Sequence, residues 1–152
     1  MSSIVLTLSL MALMLVVGLF ACPLPREEFH MRALKNDHVI RGSVVFKNVT
    51  KIENGSHGAV QVIYSIKVDE SYKGDIEQGS TVDVSTTSSE RLCGLRLEAN
   101  PEKSLILGFN QSKSGYSISK ASLLRDVDQV TDAEDRLLAE YKLQKEHPLM
   151  SR

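Results

Sequence analysis

The chain has 152 residues, of which 42% are hydrophobic and 24% are charged, and its formal net charge is −1. The near balance of 18 basic and 19 acidic residues argues against a protein that binds nucleic acid through a basic surface. It also excludes a strongly acidic or basic disordered chain. The charges are unevenly placed, because residues 1–21 contain no Asp, Glu, Lys or Arg. The remainder is long enough for one soluble domain with a single core.

Residues 1–21 are predicted to form a secretory signal peptide. Residues 4–17 are mostly Leu, Val, Met and Ile, and the small residue Ala21 stands directly before Cys22, as it does in signal peptides that are cut at this point. The alternative is a transmembrane anchor, which needs about 20 apolar residues and which this run could only just supply. We therefore expect a secreted protein of the extracellular space or matrix, without a stable membrane anchor.

Cleavage after Ala21 would make Cys22 the first residue of the mature protein. Residues 19–22 also resemble a bacterial lipobox, in which the cysteine thiol is lipidated, although Phe20 fits that motif poorly. The other interpretation is an extracellular protein whose first cysteine forms a disulfide. Three sequons are compatible with a eukaryotic secretory route and provide three glycosylation candidates: Asn48, Asn54 and Asn110.

The mature chain has the pattern of a mostly β protein. The clearest signal lies in residues 60–68, where apolar residues alternate with mostly polar ones, as in a half-buried strand. Residues 53–58 contain Asn-Gly and are predicted to form a polar loop. Five short strands with turns between them suggest a small sandwich or a partly closed barrel. The predicted strands are residues 39–49, 60–68, 81–86, 104–109 and 116–119.

A helix is predicted at each end of this β region. The first covers residues 27–35. The second begins at Thr131, which stands three residues before Glu134 in the spacing of a capping box, and continues to about Lys145. Its apolar residues recur at helical spacing, so we expect it to pack on the strands with its charged face in water. A partner-binding role for that charged face is the alternative.

Little in the sequence points to an enzyme or to a cofactor. There is no Gly-rich phosphate loop, no CxxC and no nucleophile elbow. Asp69 and Glu70 are adjacent carboxylates, but we expect such neighbours at a strand end to be solvated. The histidines are scattered and form no two-histidine helical zinc pair; they are His30, His38, His57 and His147.

Cys22 and Cys93 are the two cysteines of the chain, and in an oxidising compartment an even pair forms a disulfide by default. Closing so long a loop would stabilise the fold by about 4 kcal/mol through chain entropy. A stabilising staple is one interpretation of this bridge. It is an unusual choice for stability alone, because it would hold the first mature residue and chain termini usually fray.

Several short segments occur in a characteristic order, and together they resemble a known family. They are Cys-Pro-Leu-Pro at 22–25, Asp-His-Val-Ile-Arg-Gly at 37–42, Tyr-Lys-Gly at 72–74, Leu-Cys-Gly at 92–94 and Leu-Ile-Leu-Gly at 105–108. Their order resembles the netrin-like domain and, within it, the amino-terminal domain of the tissue inhibitors of metalloproteinases. The resemblance implies a five-stranded OB-fold barrel with a short N-terminal helix and a C-terminal flanking helix. It makes residues 22–146 one netrin-like domain and residues 147–152 a tail.

The chain also departs from the family pattern. Family members usually begin Cys-x-Cys, whereas the third mature residue here is Leu24. The partner of that missing cysteine would fall near Ala121, and a third family cysteine near Lys35; neither position holds a cysteine. The resemblance therefore leaves one complete bridge, Cys22 to Cys93.

The resemblance implies a secreted inhibitor of the zinc metalloproteinases that degrade extracellular matrix. Cys22 would chelate the catalytic zinc of the protease, a metal of the partner, through its α-amine and its carbonyl oxygen. Pro23 would face the specificity pocket, and since proline has no N–H we expect weaker or narrower inhibition. The alternative is a netrin-like binding module of the matrix without inhibitory activity. The rest of the inhibitory edge would be Leu24, Pro25, Ser89, Glu90, Arg91, Leu92 and Gly94.

Overall fold

The described part of the chain is mostly strand, with one helix near each end. The computed structural model describes residues 28–51, 60–88 and 93–148. A 3₁₀ turn, Val127–Gln129, precedes the second helix. In chain order the helices and strands are α1 (Phe29–Lys35), β1 (His38–Lys51), β2 (Val60–Lys73), β3 (Thr81–Thr87), β4 (Asn100–Ser112), β5 (Gly115–Ser117), β6 (Leu124–Asp126) and α2 (Asp132–Glu146).

Five strands of one sheet close into a ring. β1 pairs antiparallel with β2, and β2 pairs antiparallel with β3. β3 pairs in parallel with β5 through Val84 and Tyr116, and β5 pairs antiparallel with β4. The ring closes because β4 also pairs antiparallel with β1, from His38 opposite Phe109 to Val44 opposite Asn100. β6 is added outside the ring, along the edge of β4.

The inside of the ring is filled by one apolar cluster. Successive side chains of a strand point to opposite faces of the sheet, so every second residue of each ring strand faces inward. β2 shows this in Val62, Tyr64, Ile66 and Val68, all of which are buried, as their alternation predicts. The buried members of this cluster are Ile40, Val44, Val62, Tyr64, Ile66, Val68, Ile76, Val84, Leu97, Leu105, Leu107, Phe109 and Ile118.

A second apolar cluster joins both helices to the outer face of the ring. Leu105 and Leu107 belong to the inner cluster, whereas Ile106 between them belongs to the outer one. β4 is therefore buried on both faces at its centre, which explains its uninterrupted apolar run. Phe29 and Leu138 bring the two helices onto this outer face. The cluster comprises Phe29, Ala33, Val39, Tyr72, Ile106, Leu123 and Leu138.

All five predicted strands are present; the first four have wider bounds than the sequence indicated, whereas β5 is shorter and ends at Ser117. β1 and β2 each contain 14 residues, and β4 begins at Asn100 rather than at residue 104. The sequence did not predict β6, because its three residues are too few to show a period. The predicted polar loop at residues 53–58 lies outside the described residues.

Both predicted helices are confirmed, although residue 27 lies outside the described part. The capping box of α2 is present: the Thr131 hydroxyl accepts from the N–H of Glu134 at 3.3 Å, and the Glu134 carboxylate accepts from the N–H of Thr131 at 2.9 Å. Each of these bonds satisfies a backbone donor that the helix itself leaves free. Leu138 is buried while most of α2 is at least partly exposed, so the helix packs on the ring with its charged face toward water.

Candidate functional site

The predicted inhibitory edge lies only partly within the described residues. Cys93 and Gly94 are described, and they begin an irregular segment, residues 93–99, that runs between β3 and β4. The other members of the edge lie in residues 22–25 and 89–92, outside the described residues. The roles assigned to Cys22, Pro23 and their neighbours therefore stay predictions.

Cys93 has an unusual backbone conformation that its surroundings hold in place. Its φ angle is 60°, in the left-handed region that residues with a side chain seldom adopt. Its carbonyl oxygen accepts a hydrogen bond of 3.0 Å from the N–H of Lys120, and the next residue, Gly94, is buried. Such a conformation persists where neighbouring contacts determine it, so the direction of the chain at Cys93 is well defined.

Two strand residues hold the segment that follows Cys93. The Tyr64 hydroxyl of β2 accepts from the N–H of Leu97 at 2.9 Å and donates to the carbonyl of Leu95 at 3.4 Å. The Thr86 hydroxyl of β3 accepts from the N–H of Leu95 at 3.1 Å. The backbone polar groups of an irregular segment must find such partners when they are buried. Residues 95–97 are therefore fixed to the wall of the ring.

No motif in the sequence marks Tyr64, Thr86 or Lys120 as part of this site. Tyr64 was predicted only as an inward residue of a half-buried strand. One signal was present, because a buried tyrosine hydroxyl requires a hydrogen-bond partner. The sequence could not show that the partner would be the segment beyond Cys93, which lies 31 residues away at Leu95.

An open pocket of about 490 Å³ borders Cys93. The residues that line it belong to β2, β3, β4 and β5 and to the turn after β5. Hydroxyl and amide side chains predominate, and the described lining contains no ionisable side chain apart from the cysteine. The side chains that line this pocket are thus uncharged. The described lining residues are Gln61, Ser85, Thr86, Thr87, Cys93, Asn110, Ser117, Ile118, Ser119 and Ser122.

The Tyr-Lys-Gly segment at residues 72–74 attaches α1 to β2. The Lys73 ammonium donates to the carbonyl oxygens of Ala33, Leu34 and Asn36, at 3.1, 2.9 and 2.6 Å. The last carbonyls of a helix lack partners within the helix, so this lysine completes the end of α1. Burial lowers the pKa of Lys73 below its ordinary value.

Gly74 ends the same segment where only glycine fits. Its φ angle is +86°, and a Cβ at this position would overlap Nδ1 of His38. His38 is 3% exposed and lies against the rings of Phe109 and Tyr116, with centroid distances of 5.6 and 5.1 Å. Neither of its ring nitrogens has a hydrogen-bond partner in the part of the chain that is described; Nδ1 lies 3.6 Å from Oδ1 of the exposed Asp75 carboxylate. The glycine therefore makes room for a buried histidine.

The glycine of the Leu-Ile-Leu-Gly segment accommodates a buried asparagine. A Cβ on Gly108 would overlap Oδ1 of Asn36, and that oxygen accepts from the N–H of Leu123 at 2.9 Å. Asn36 also donates to Oδ1 of Asn110 at 3.3 Å, and the same oxygen accepts from the N–H of Asp37 at 3.0 Å. These bonds join the α1–β1 junction to β4 and to the segment before β6.

The sequence predicts that the adjacent carboxylates Asp69 and Glu70 are solvated. For Glu70 this prediction is wrong. Its side chain is 22% exposed and lies 2.6 Å from the Lys142 ammonium of α2. The hydrogen bond from Lys142 lowers the pKa of Glu70, and burial opposes that effect without reversing it. Tyr72 donates a second hydrogen bond to the same carboxylate, at 3.0 Å. Glu70 is a structural link between β2 and α2.

The glycosylation candidates differ in their surroundings. Asn48 is exposed on β1. Asn110 is half-buried on β4, and its side-chain oxygen is engaged with Asn36 and Asp37. Asn54 lies outside the described residues.

No group of three or more His, Cys, Asp or Glu side chains within residues 28–51, 60–88 and 93–148 could hold a metal ion. His57 lies outside these ranges. Over the same residues, none of the helices combines the length and the apolar character needed to cross a membrane.

The geometry defines a class: a mostly β protein with a closed ring of five strands, two helices on its outer face and a cysteine-containing segment fixed to the ring. Comparison with known protein families matches residues 25–145 to the tissue inhibitor of metalloproteinase family. The match spans most of the chain, and the chain belongs to this family. Its members inhibit metalloproteinases and are not enzymes. A search of the curated proteins finds no matching relative.

Proposed function

We propose that this protein is a secreted inhibitor that binds the catalytic zinc of a matrix-degrading metalloproteinase through the α-amine and carbonyl oxygen of Cys22. The observation that carries the proposal is the fixed backbone of Cys93, held through Lys120 and followed by a segment bonded to Tyr64 and Thr86. No free cysteine occurs in the described part, which supports a disulfide from Cys93 to Cys22, the other cysteine of the chain.

The chemistry of a terminal cysteine suits a zinc ligand. A catalytic zinc keeps three protein ligands and one position open to water or substrate. An α-amine and the carbonyl of the same residue can occupy that position as a five-membered chelate. The amine must lose a proton, and its ordinary pKa of about 7.7–8.0 makes this easy near neutral pH. A disulfide to Cys93 would fix the direction of Cys22, so less ordering entropy is lost on binding.

The proposed inhibitory edge joins two chain segments around this bridge. One segment is Pro23, Leu24 and Pro25 beside the chelating residue. The other is Ser89, Glu90, Arg91, Leu92 and Gly94 beside Cys93. The pocket with uncharged lining that borders Cys93 would then lie next to the edge. Pro23 cannot donate a backbone hydrogen bond to a protease, so we expect inhibition to be weaker or narrower than with Thr or Ser at this position.

The same proposal includes the wider setting of the inhibitor. The closed ring of five strands supports assignment as an OB-fold barrel. Removal of residues 1–21 as a signal peptide would expose the α-amine of Cys22 and direct the protein to a compartment where a disulfide forms. Asn48 is the exposed sequon among those described, which supports it over Asn110 as a glycosylation site.

The test begins with the amino terminus of the secreted protein. Intact mass and amino-terminal sequencing should show that the chain starts at Cys22 with a free α-amine. A start upstream of Cys22, or an added lipid mass, would exclude zinc chelation by this residue.

The functional test is titration against a panel of zinc metalloproteinases. The key variant carries one extra Ala before Cys22, and the matched control carries the extra Ala after Arg152. We expect the first variant to lose most inhibition and the control to retain it. Equal potency of both variants would show that the amine is not the ligand. Absence of inhibition by the wild type across the panel would favour a matrix-binding module instead.

A further inference from the structure

The segment that follows Cys93 carries more buried backbone than its lack of secondary structure suggests. Gly94 and Leu97 are buried although residues 94–99 belong to neither a helix nor a strand. Buried backbone groups outside regular structure need individual partners. Three backbone groups take their partners from two hydroxyls of the ring of strands: the N–H and the carbonyl of the half-buried Leu95, and the N–H of the buried Leu97.

Tyr64 supplies one of these hydroxyls from the inside of the ring. Its side chain belongs to the inner apolar cluster and is 1% exposed. A phenol has one donor and can also accept, and here the single oxygen serves both the Leu95 carbonyl and the Leu97 N–H. Because the Tyr64 side chain is buried in the apolar cluster inside the ring of strands, its hydroxyl is held at one point and the two backbone groups are held with it.

Thr86 supplies the second hydroxyl from the neighbouring strand. It is buried, and its partner across the β2–β3 pairing is Val62, two residues before Tyr64. Its hydroxyl accepts from the N–H of Leu95. Leu95 is thus bonded at its N–H by β3 and at its carbonyl by β2. The residue two positions after Cys93 cannot shift without breaking one of these bonds.

Given the proposed function, we propose that Tyr64 and Thr86 are positioning residues for inhibition. They fix Leu95 and Leu97, and thereby the left-handed Cys93, so that the disulfide presents Cys22 in one orientation. Both side chains are buried. They act by restricting the conformations of the free inhibitor, which reduces the conformational entropy that is lost on binding. Loss of a positioning bond is expected to appear mainly in the dissociation rate.

The decisive comparison uses two tyrosines that differ in what their hydroxyls hold. Tyr64→Phe removes the hydroxyl that holds Leu95 and Leu97. Tyr72→Phe removes a hydroxyl from a tyrosine that is also buried, but one that bonds Glu70 beside α2. Both variants keep the aromatic ring in the core. We expect both to lower thermal stability, and only Tyr64→Phe to raise the inhibition constant, by roughly fivefold.

A second pair of variants tests the effect of the Thr86 hydroxyl separately from the effect of the side chain's branched shape. Thr86→Val keeps the branched shape without the hydroxyl, whereas Thr86→Ser keeps the hydroxyl. We expect Val to accelerate dissociation from the protease and Ser to retain the wild-type rate. Amide hydrogen exchange of Leu97 should accelerate in Tyr64→Phe and remain unchanged in Tyr72→Phe, and exchange of Leu95, whose N–H is bonded to Thr86, should accelerate in Thr86→Val.

The outcomes distinguish this inference from the proposed function. A wild-type protein that inhibits none of the proteases overturns the proposed function and, with it, the positioning role. A wild-type protein that inhibits, together with Tyr64→Phe and Tyr72→Phe variants of equal inhibition constant, overturns the positioning role alone. Equal dissociation rates for Thr86→Val and Thr86→Ser do the same for Thr86.

Discussion

The Lys142 ammonium in α2 donates a hydrogen bond of 2.6 Å to the Glu70 carboxylate in β2. Tyr72 donates to the other oxygen of the same carboxylate at 3.0 Å, and the Arg41 guanidinium lies 3.8 Å from that oxygen. The C-terminal helix is therefore joined to the ring by a carboxylate with several donors as well as by the apolar contact of Leu138. A carboxylate bonded in this way favours its charged form.

The first prediction concerns the pH dependence of this link. The pKa of Glu70 is lowered from its ordinary value of 4.5, chiefly by the Lys142 hydrogen bond. A carboxyl whose folded pKa is depressed contributes stability above its unfolded pKa and loses that contribution as the pH falls through the folded pKa. We expect Glu70→Gln to destabilise the protein by about 1 kcal/mol at pH 7, and the difference from wild type to shrink in acid.

Thermal unfolding from pH 7 to pH 3 measures this difference. Asp69→Asn is the control, since it neutralises the neighbouring carboxylate and leaves the bonds of Glu70 in place. A difference between wild type and Glu70→Gln that stays constant over the whole range would contradict the assignment.

The second prediction concerns the lysine at the end of α1. Lys73→Met removes three hydrogen bonds to the carbonyls of Ala33, Leu34 and Asn36 while retaining a long apolar side chain. Because the bonds to the carbonyls of Ala33 and Asn36 are partly buried, the loss should destabilise the protein by about 1–3 kcal/mol. Urea unfolding measures the change. Lys67→Met, an exposed lysine of the same strand, is the control, and an equal effect of both substitutions would argue against the capping role.

The third prediction concerns the buried histidine. The imidazole of His38 is buried against the rings of Phe109 and Tyr116. Among the described residues, its two nitrogens have no hydrogen-bond partner, and such polar groups are costly to bury. We expect His38→Leu to preserve or raise the free energy of unfolding, by up to about 1 kcal/mol. His30→Leu, at a side chain that is 49% exposed, should leave it nearly unchanged. A marked loss of stability in His38→Leu would mean that the imidazole makes a favourable polar interaction.

The sequence predicts the strands and helices of this protein better than it predicts the hydrogen bonds that hold its candidate site. Strands are visible because inward residues such as Val62 and Ile66 alternate, and α2 is visible because Thr131 and Glu134 stand at capping-box spacing. Both signals are local. The bonds from Tyr64 to Leu95 and from Lys73 to Ala33 are not, since they join residues 31 and 40 positions apart. These hydrogen bonds depend on how the ring of strands closes, and no short sequence pattern predicts that.

Glu70 shows the same limit in a charged residue. Next to Asp69 and just beyond the predicted strand 60–68, it has the sequence context of a solvated carboxylate. Its principal partner, Lys142, is 72 positions away on α2. Only the packing of the helix on β2 brings the two together, so the sequence context gave the wrong expectation.

The last prediction concerns Pro23, the residue directly after the proposed zinc ligand Cys22. A proline has no backbone N–H and fixes its φ angle. In the proposed complex it would therefore leave one hydrogen bond to the protease unmade and fill the specificity pocket poorly. Both deficits reduce affinity without altering the zinc-binding atoms of Cys22.

Pro23→Thr should lower the inhibition constant roughly fivefold, the size expected of one restored hydrogen bond. The gain should appear as slower dissociation, because most affinity differences between related complexes lie in that rate. Pro101→Thr makes the same chemical change at an exposed position of β4 and is expected to leave inhibition unchanged. The prediction is wrong if Pro23→Thr does not tighten inhibition of a protease that the wild type inhibits. In that case Pro23 does not limit potency, and the residue after the chelating cysteine does not contribute to recognition by the protease.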